Sequence, residues 1–334
     1  MNESKTNRYA VYNYSTAEGA TQVFPWGAHG SPTEIPRKML LTTNSSTNSS
    51  WNSKASIVYP LFTKVQPSAR TNLLIFKTSE GNGVWMPFGA NTFRGFVVDD
   101  GATVSVAPPP WRSSRRLEIF GDSITCCFGC TGSVRYDPKC DGVKAEDAWF
   151  SWGAQLARTL QAEMHLQAWS AIGLLHDATP FSPGVMETMV ARTLGGTPDT
   201  PQNAWDFDSW PPSAVVVNLG VNDGLSLGNT SKANSSQWAA GMLSVAQRYK
   251  KGTPILLTVG PWLPAPPVEC GVLCEFSKAA VAYGRRLGYN FSYYRYPSGS
   301  VARNGTSCGG HPEADAHEAM AAQLSPLVKE MLGW

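Results

Sequence analysis

The stretch Leu117-Glu118-Ile119-Phe120-Gly121-Asp122-Ser123-Ile124-Thr125 decides how the rest of the chain is read. An apolar, β-type run rises into Gly-Asp-Ser and then into a cysteine-rich loop. A serine hydroxyl is a poor nucleophile until a base takes its proton. Open α/β sheets present such groups at the carboxyl ends of buried strands, where they share a crevice. Asp122 and Ser123 are also ordinary turn formers. The stretch therefore acquires chemical meaning only if oxyanion donors and a histidine stand at the ends of later strands.

Downstream of it the chain alternates between strand and helix, the pattern of a parallel sheet. Strands are expected at 116–120, 166–169, 213–219, 254–259 and 290–294. The runs at 213–219 and 254–259 are continuously apolar, as in strands buried on both faces. Helical spacing marks 146–163, 185–194, 236–249, 276–287 and 312–332, the last with Ala316, Met320, Leu324 and Leu327 on one face.

Upstream the rhythm differs. Short apolar or alternating runs at 9–12, 38–41, 55–59, 72–76, 93–98 and 103–106 are separated by polar, Gly- or Pro-containing loops. That spacing indicates a β-sandwich or barrel. Pro108-Pro109-Pro110 is a stiff linker. The expected domains are therefore 1–110, a β-sandwich accessory domain, and 111–334, an α/β catalytic domain. Trp26, Trp51 and Trp85 could stack sugars or anchor the β-domain's core and loops.

Composition bounds the partners. Of 334 residues, 42 % are hydrophobic and 16 % charged, which marks a globular chain. Lys+Arg 27 against Asp+Glu 25 leaves a net charge of +2 and no basic run, so nucleic acid is not an expected partner. No apolar stretch approaches a membrane span. Residues 1–5 lack an apolar core, so no signal peptide is expected in this chain. Asn-x-Ser/Thr sequons at Asn2, Asn13, Asn44, Asn48, Asn229, Asn234, Asn290 and Asn304 nevertheless favour a secreted glycoprotein. Cysteine usage agrees. Cys126, Cys127, Cys130 and Cys140 cluster, followed by Cys270, Cys274 and Cys308. No histidine lies near the first cluster, so disulfides fit better than zinc. The odd count of seven leaves at least one cysteine outside an internal pair.

Three expected strand ends supply three kinds of group: Ser123, the turn 171–173, and Asn222. Gly309-Gly310-His311-Pro312 precedes the last helix. A nucleophile, amide donors for a tetrahedral oxyanion and an imidazole base are the set that acyl transfer needs. Asp122 and Asp223 read as turn and loop organisers, not as acids. His165 and His176 have no partner in these motifs.

The blocks Phe120-Gly121-Asp122-Ser123-Ile124-Thr125, Trp169-Ser170-Ala171-Ile172-Gly173, Val217-Asn218-Leu219-Gly220-Val221-Asn222-Asp223 and Gly310-His311-Pro312 occur in this order. With them the chain resembles the SGNH (GDSL-type) hydrolases, and within that group the two-domain acetyl esterases of carbohydrate esterase family 2. The resemblance implies a jelly-roll-like N-terminal sandwich followed by a flavodoxin-like three-layer α/β/α hydrolase domain. It implies Ser123 as nucleophile and His311 as base. It also implies an oxyanion hole of the Ser123 N–H, the Asn222 amide and a backbone N–H of the second block. The family's second-block donor is a glycine. Alignment by Ser170 puts Ala171 there, with Gly173 two residues on. Many SGNH hydrolases carry an aspartate three residues before the base, where this chain has Cys308. The histidine's orienter is then a backbone carbonyl, Asp315 or Glu313, and His317 competes with His311 as the base.

The implied substrate is an acetylated polysaccharide or oligosaccharide of xylan or mannan type, with Trp262 a candidate sugar platform or a loop anchor. Neither a metal nor an organic cofactor is implied, and the chain is expected to act as a monomer. A GDSL-type lipase or small-ester hydrolase, and a non-catalytic carbohydrate-binding protein on the same fold, are the alternatives.

Overall fold

The computed structural model describes residues 8–14, 39–42, 72–80, 112–131, 145–178, 184–195, 199–225, 233–261, 271–297 and 307–334, with isolated residues at 101, 103, 105 and 142. Near the N-terminus, β1 (Arg8–Tyr14) pairs antiparallel with β2 (Met39–Thr42) and with β3 (Asn72–Lys77), in the order β2-β1-β3. The strands expected at 55–59 and 93–98, and the linker at 108–110, lie outside the described residues.

The second sheet is parallel and five-stranded. Its strands are β4 (Arg112–Gly121), β5 (Ala162–Ala168), β6 (Ala214–Asn218), β7 (Ile255–Val259) and β8 (Phe291–Arg295), in the order β5-β4-β6-β7-β8. Counted from the sheet's first strand, this is the flavodoxin-like order 2-1-3-4-5. Chain direction around the sheet reverses between β4 and β6, and ligands of such sheets bind outside the carboxyl ends at that reversal. Gly121, the last residue of β4, is in register with both Ala168 and Asn218.

Helices cover both faces because the central strands alternate two apolar sets. Phe120, Val215, Val217, Ile255 and Leu257 share one core with Trp238, Met242 and Phe276, which come from α5 (Ser235–Ala246) and α6 (Gly271–Arg286). Leu117, Ile119, Ala214, Val216 and Leu256 share the other. Its helical partners are Trp152 and Leu156 from α2 (Trp152–Thr159), with Met320 and Leu324 from α7 (Ala314–Leu332). The three-layer α/β/α arrangement is thus built from two cores on one sheet.

Two elements differ from expectation. Helix α2 ends at Thr159, and the chain is already in strand β5 from Ala162. Ala162, Met164, Leu166 and Ala168 alternate with Glu163, His165 and Gln167, the period of a strand with one polar face. This edge strand tolerates polar residues that a central one does not. Its His165 lies stacked on Trp210 with ring centroids 3.6 Å apart. The expected helix at 185–194 shortens to α3 (Met186–Met189).

Candidate active site

The Gly-Asp-Ser turn is made locally. Ser123 opens the one-turn helix α1 (Ser123–Cys126), and Asp122 is its N-cap, accepting the Ile124 N–H at 2.9 Å. Gly121 is required by close approach: a Cβ there would lie 1.9 Å from Thr125 Oγ1. Asp122 is 1 % exposed, and burial pushes its carboxyl up to about 7, with the nearby Asp223 charge adding to the rise.

His311 brings its Nε2 to 2.8 Å from Ser123 Oγ, across 188 residues of chain. With the ring proton on Nδ1, Nε2 is an acceptor and the serine hydroxyl donates to it. The backbone of His311 is anchored by the Ser307 hydroxyl, which donates to its carbonyl at 2.7 Å. Phe128 packs on the imidazole with ring centroids 5.0 Å apart. The loop carrying Phe128 is closed by a disulfide between Cys127 and Cys130, and the Ala314 N–H donates to Cys130 O at 3.2 Å. The cysteine-rich loop therefore braces the base against the nucleophile's turn.

His317 is a different kind of residue. It is fully buried, its Nδ1 accepts the Trp152 N–H at 3.1 Å, and burial lowers its pKa to about 3. It stays neutral and pins α2 to α7. Asp315 is exposed and its side chain makes no hydrogen bond or ion pair among the described residues, so nothing described joins it to His311. Cys308 is buried and disulfide-bonded. Cys126 is a buried thiol outside the Cys127–Cys130 disulfide.

The three expected oxyanion donors follow the strand ends of β4, β5 and β6, where Gly121 is in register with Ala168 and Asn218. The N–H of Ser123, at the first position of α1, has no acceptor among the described residues, as expected of a helix start. Ala171 has a left-handed φ of 63° and its N–H is likewise unbonded among the described residues. The two second-block candidates separate here: the Gly173 N–H is taken by Asp177 Oδ1 at 3.2 Å. Gly173 is instead a packing glycine, since a Cβ would lie 2.0 Å from His176 O and 2.8 Å from Asp223 Oδ2. Asn222 sits in α4 (Val221–Leu225), the turn after β6. Its Nδ2 donates to Ile172 O at 2.7 Å, which leaves one of its two hydrogens for a ligand.

Asp223 accepts the N–H groups of Leu174, Leu175 and His176 at 2.8, 2.8 and 3.1 Å, and so gathers the loop after β5. Burial raises its pKa against the pull of those donors. It is the loop organiser that its position in the sequence suggested. Trp262 and most of its loop lie outside the described residues.

The GDSL-like Lipase/Acylhydrolase family matches residues 119–319, from the strand that carries Gly-Asp-Ser to the helix after His311. The chain belongs to that family. As a GDSL-like acylhydrolase it has relatives among carbohydrate-active proteins. It is 28 % identical over 271 residues to a cellulase/esterase, CelE, of Acetivibrio thermocellus, covering 79 % of this chain and 30 % of that protein. It is 26 % identical over 233 residues to an acetylxylan esterase / glucomannan deacetylase of Cellvibrio japonicus, covering 68 % of this chain and 60 % of that protein. The chain thus spans less than two thirds of these relatives' length.

Among solved structures, a family two carbohydrate esterase from Clostridium thermocellum in complex with cellohexaose superposes with a TM-score of 0.69 at 22 % identity, over 98 % of this chain and 87 % of that one. A carbohydrate esterase family 2 enzyme of Corynascus thermopiles gives 0.67 at 21 % identity, over 99 % and 88 %. This GDSL-like hydrolase therefore shares their fold over nearly its whole length.

Sequence reasoning missed two groups at the site. Phe128 lies within the cysteine cluster, but nothing marks it as a neighbour of the base. Glu80 lies upstream of the family match and has no local signal at all.

Proposed function

We propose that the protein is a carbohydrate O-acetyl esterase, removing acetyl groups from a polysaccharide or oligosaccharide of xylan or mannan type through a Ser123–His311 dyad. The observation that carries this reading is the 2.8 Å contact between His311 Nε2 and Ser123 Oγ, just past the end of β4 at the sheet's reversal point. His311 takes the hydroxyl proton as Oγ attacks the acetyl carbonyl carbon. The N–H groups of Ser123 and Ala171 and the free Nδ2 hydrogen of Asn222 receive the oxyanion. Collapse breaks the bond to the sugar oxygen, which leaves with the proton returned by His311. Water, deprotonated by His311, then attacks the acyl carbon; the bond to Ser123 Oγ breaks, His311 returns the proton to Oγ, and acetate departs.

The names of the Acetivibrio and Cellvibrio relatives support a carbohydrate ester as substrate, with Trp262 the proposed sugar platform. We read residues 1–110 as a β-sandwich accessory domain beside the catalytic domain 111–334, consistent with the antiparallel order β2-β1-β3. A secreted, glycosylated monomer agrees with the Cys127–Cys130 disulfide and with exposed sequon asparagines at 234 and 290. Among the described residues no helix is long and apolar enough to cross a membrane.

The test is acetate release from acetylated xylan and glucomannan beside aryl esters of rising acyl length. The reading predicts turnover of the acetylated polysaccharides and a steep fall beyond short acyl chains. Preference for long acyl chains would replace it with a lipase, and polysaccharide binding without turnover with a binding protein.

A further inference from the structure

We propose that Glu80, from the segment after β3, is a positioning residue for the oxyanion turn: its carboxylate fixes the turn after β5 beside the nucleophile's helix. The inference rests on the esterase reading of the site. Glu80 lies outside residues 119–319, the extent of the family match.

The segment is seated on the catalytic domain at several points. The Ala148 N–H donates to Thr78 O at 2.8 Å, and the Glu80 N–H donates to Glu146 Oε1. Thr78 is 1 % exposed and Glu80 6 % exposed. A carboxylate buried this deeply is costly unless donors satisfy it. Glu80 Oε2 accepts the Ser170 N–H at 2.6 Å, and the Cys126 thiol lies 4.0 Å from the same oxygen. Ser170 directly precedes Ala171, and Cys126 ends the helical turn that Ser123 begins. One oxygen atom thus touches both halves of the site.

The mechanical reason lies in Ala171. A left-handed backbone is strained for a non-glycine residue and persists only where its surroundings hold it. Glu80 holds the residue before it, and the Ala178 N–H bonds Ala171 O at 2.9 Å from the other side. Without the carboxylate the Ser170 N–H has no acceptor, the turn relaxes, and the Ala171 N–H leaves its direction toward the oxyanion. Substrate contacts elsewhere are untouched, so the loss falls on kcat and not on KM.

The test uses the full chain with Glu80→Gln, Glu80→Asp and Glu80→Ala. Kinetics on an aryl acetate are joined to hydrogen exchange of the peptide containing Ser170. Glu80→Asp and Glu80→Ala should lower kcat at least tenfold, less than the roughly 10²–10³-fold for a donor removed outright, with KM within about twofold. Glu80→Gln keeps an acceptor oxygen and should retain roughly a third of kcat or more. Exchange at Ser170 should quicken about tenfold in the Asp and Ala variants and not in Gln. Unchanged kcat in the Asp variant, equal losses in Gln and Ala, or unaltered exchange would each overturn the proposal. If the Ala variant does not fold, the Asp–Gln pair decides alone. Inactive wild-type protein would defeat the esterase reading itself, and the exchange arm would still decide whether Glu80 holds the turn.

Discussion

The turn after β4 and the turn after β5 stand side by side at the carboxyl edge of the sheet, yet they are built by different means. The first is self-contained: Asp122 caps α1 two residues away, and Gly121 makes room for Thr125. The second is assembled from afar. Asp223 gathers the N–H groups of residues 174–176, Asn222 holds Ile172 O, and Glu80 holds the Ser170 N–H. A nucleophile can be presented by local turn chemistry. A turn that carries an alanine at a left-handed φ has to be held by the rest of the fold.

Substitutions should expose that difference, beginning with the chemistry that both turns serve. Ser123→Ala and His311→Ala should each lower kcat for an aryl acetate by roughly 10⁴-fold, with little change in melting temperature. Turnover within tenfold of wild type in the serine variant would remove the dyad. Asn222→Ala should cost about 10²–10³-fold in kcat, since it loses an oxyanion donor and frees Ile172 O together. A change confined to KM would argue against that role.

Stability separates the turns next. Asp223→Ala strands three N–H groups in and around the core and should cost about 3 kcal/mol in urea unfolding. Asp122→Ala removes one local cap and should cost about 1 kcal/mol. Equal costs would erase the contrast.

The smallest effect is a pH slope. Burial pushes the Glu118 and Asp122 carboxyls up to about 7, from ordinary values of 4.5 and 3.8. An acid whose folded pKa is raised holds its proton more tightly when folded. Its stabilising contribution is complete below the ordinary value and is lost as pH rises through about 7. Unfolding free energy should therefore decline from about pH 4 to about pH 7 on account of these groups, and Asp122→Asn should flatten the decline. Identical slopes for wild type and variant would refute the assignment of the proton to Asp122.

The same division explains what could be read from the sequence. The apolar runs of β6 and β7 identified themselves because burial on both faces leaves few polar positions. Gly-Asp-Ser and Gly-His-Pro announced the dyad because each is a short contiguous motif. Strand β5 was legible only in its second half, 166–168: its alternation of Glu163, His165 and Gln167 with apolar residues follows so closely on helix α2 that its first residues read as a continuation of the helix. The choice between Ala171 and Gly173 needed a φ angle and the Asp177 contact, neither of which spacing encodes. Glu80 was invisible for a deeper reason. Its partner is a backbone N–H 90 residues away, and a backbone N–H leaves no mark in a sequence.

The most direct measurement of the central claim is covalent capture of the nucleophile. The enzyme would be treated with a serine-reactive aryl phosphonate and its peptides mapped by mass spectrometry. The account predicts one adduct, on Ser123, formed in step with loss of acetyl esterase activity and suppressed in His311→Ala. An adduct on another residue accompanying that loss, or full inactivation with Ser123 unmodified, would contradict it.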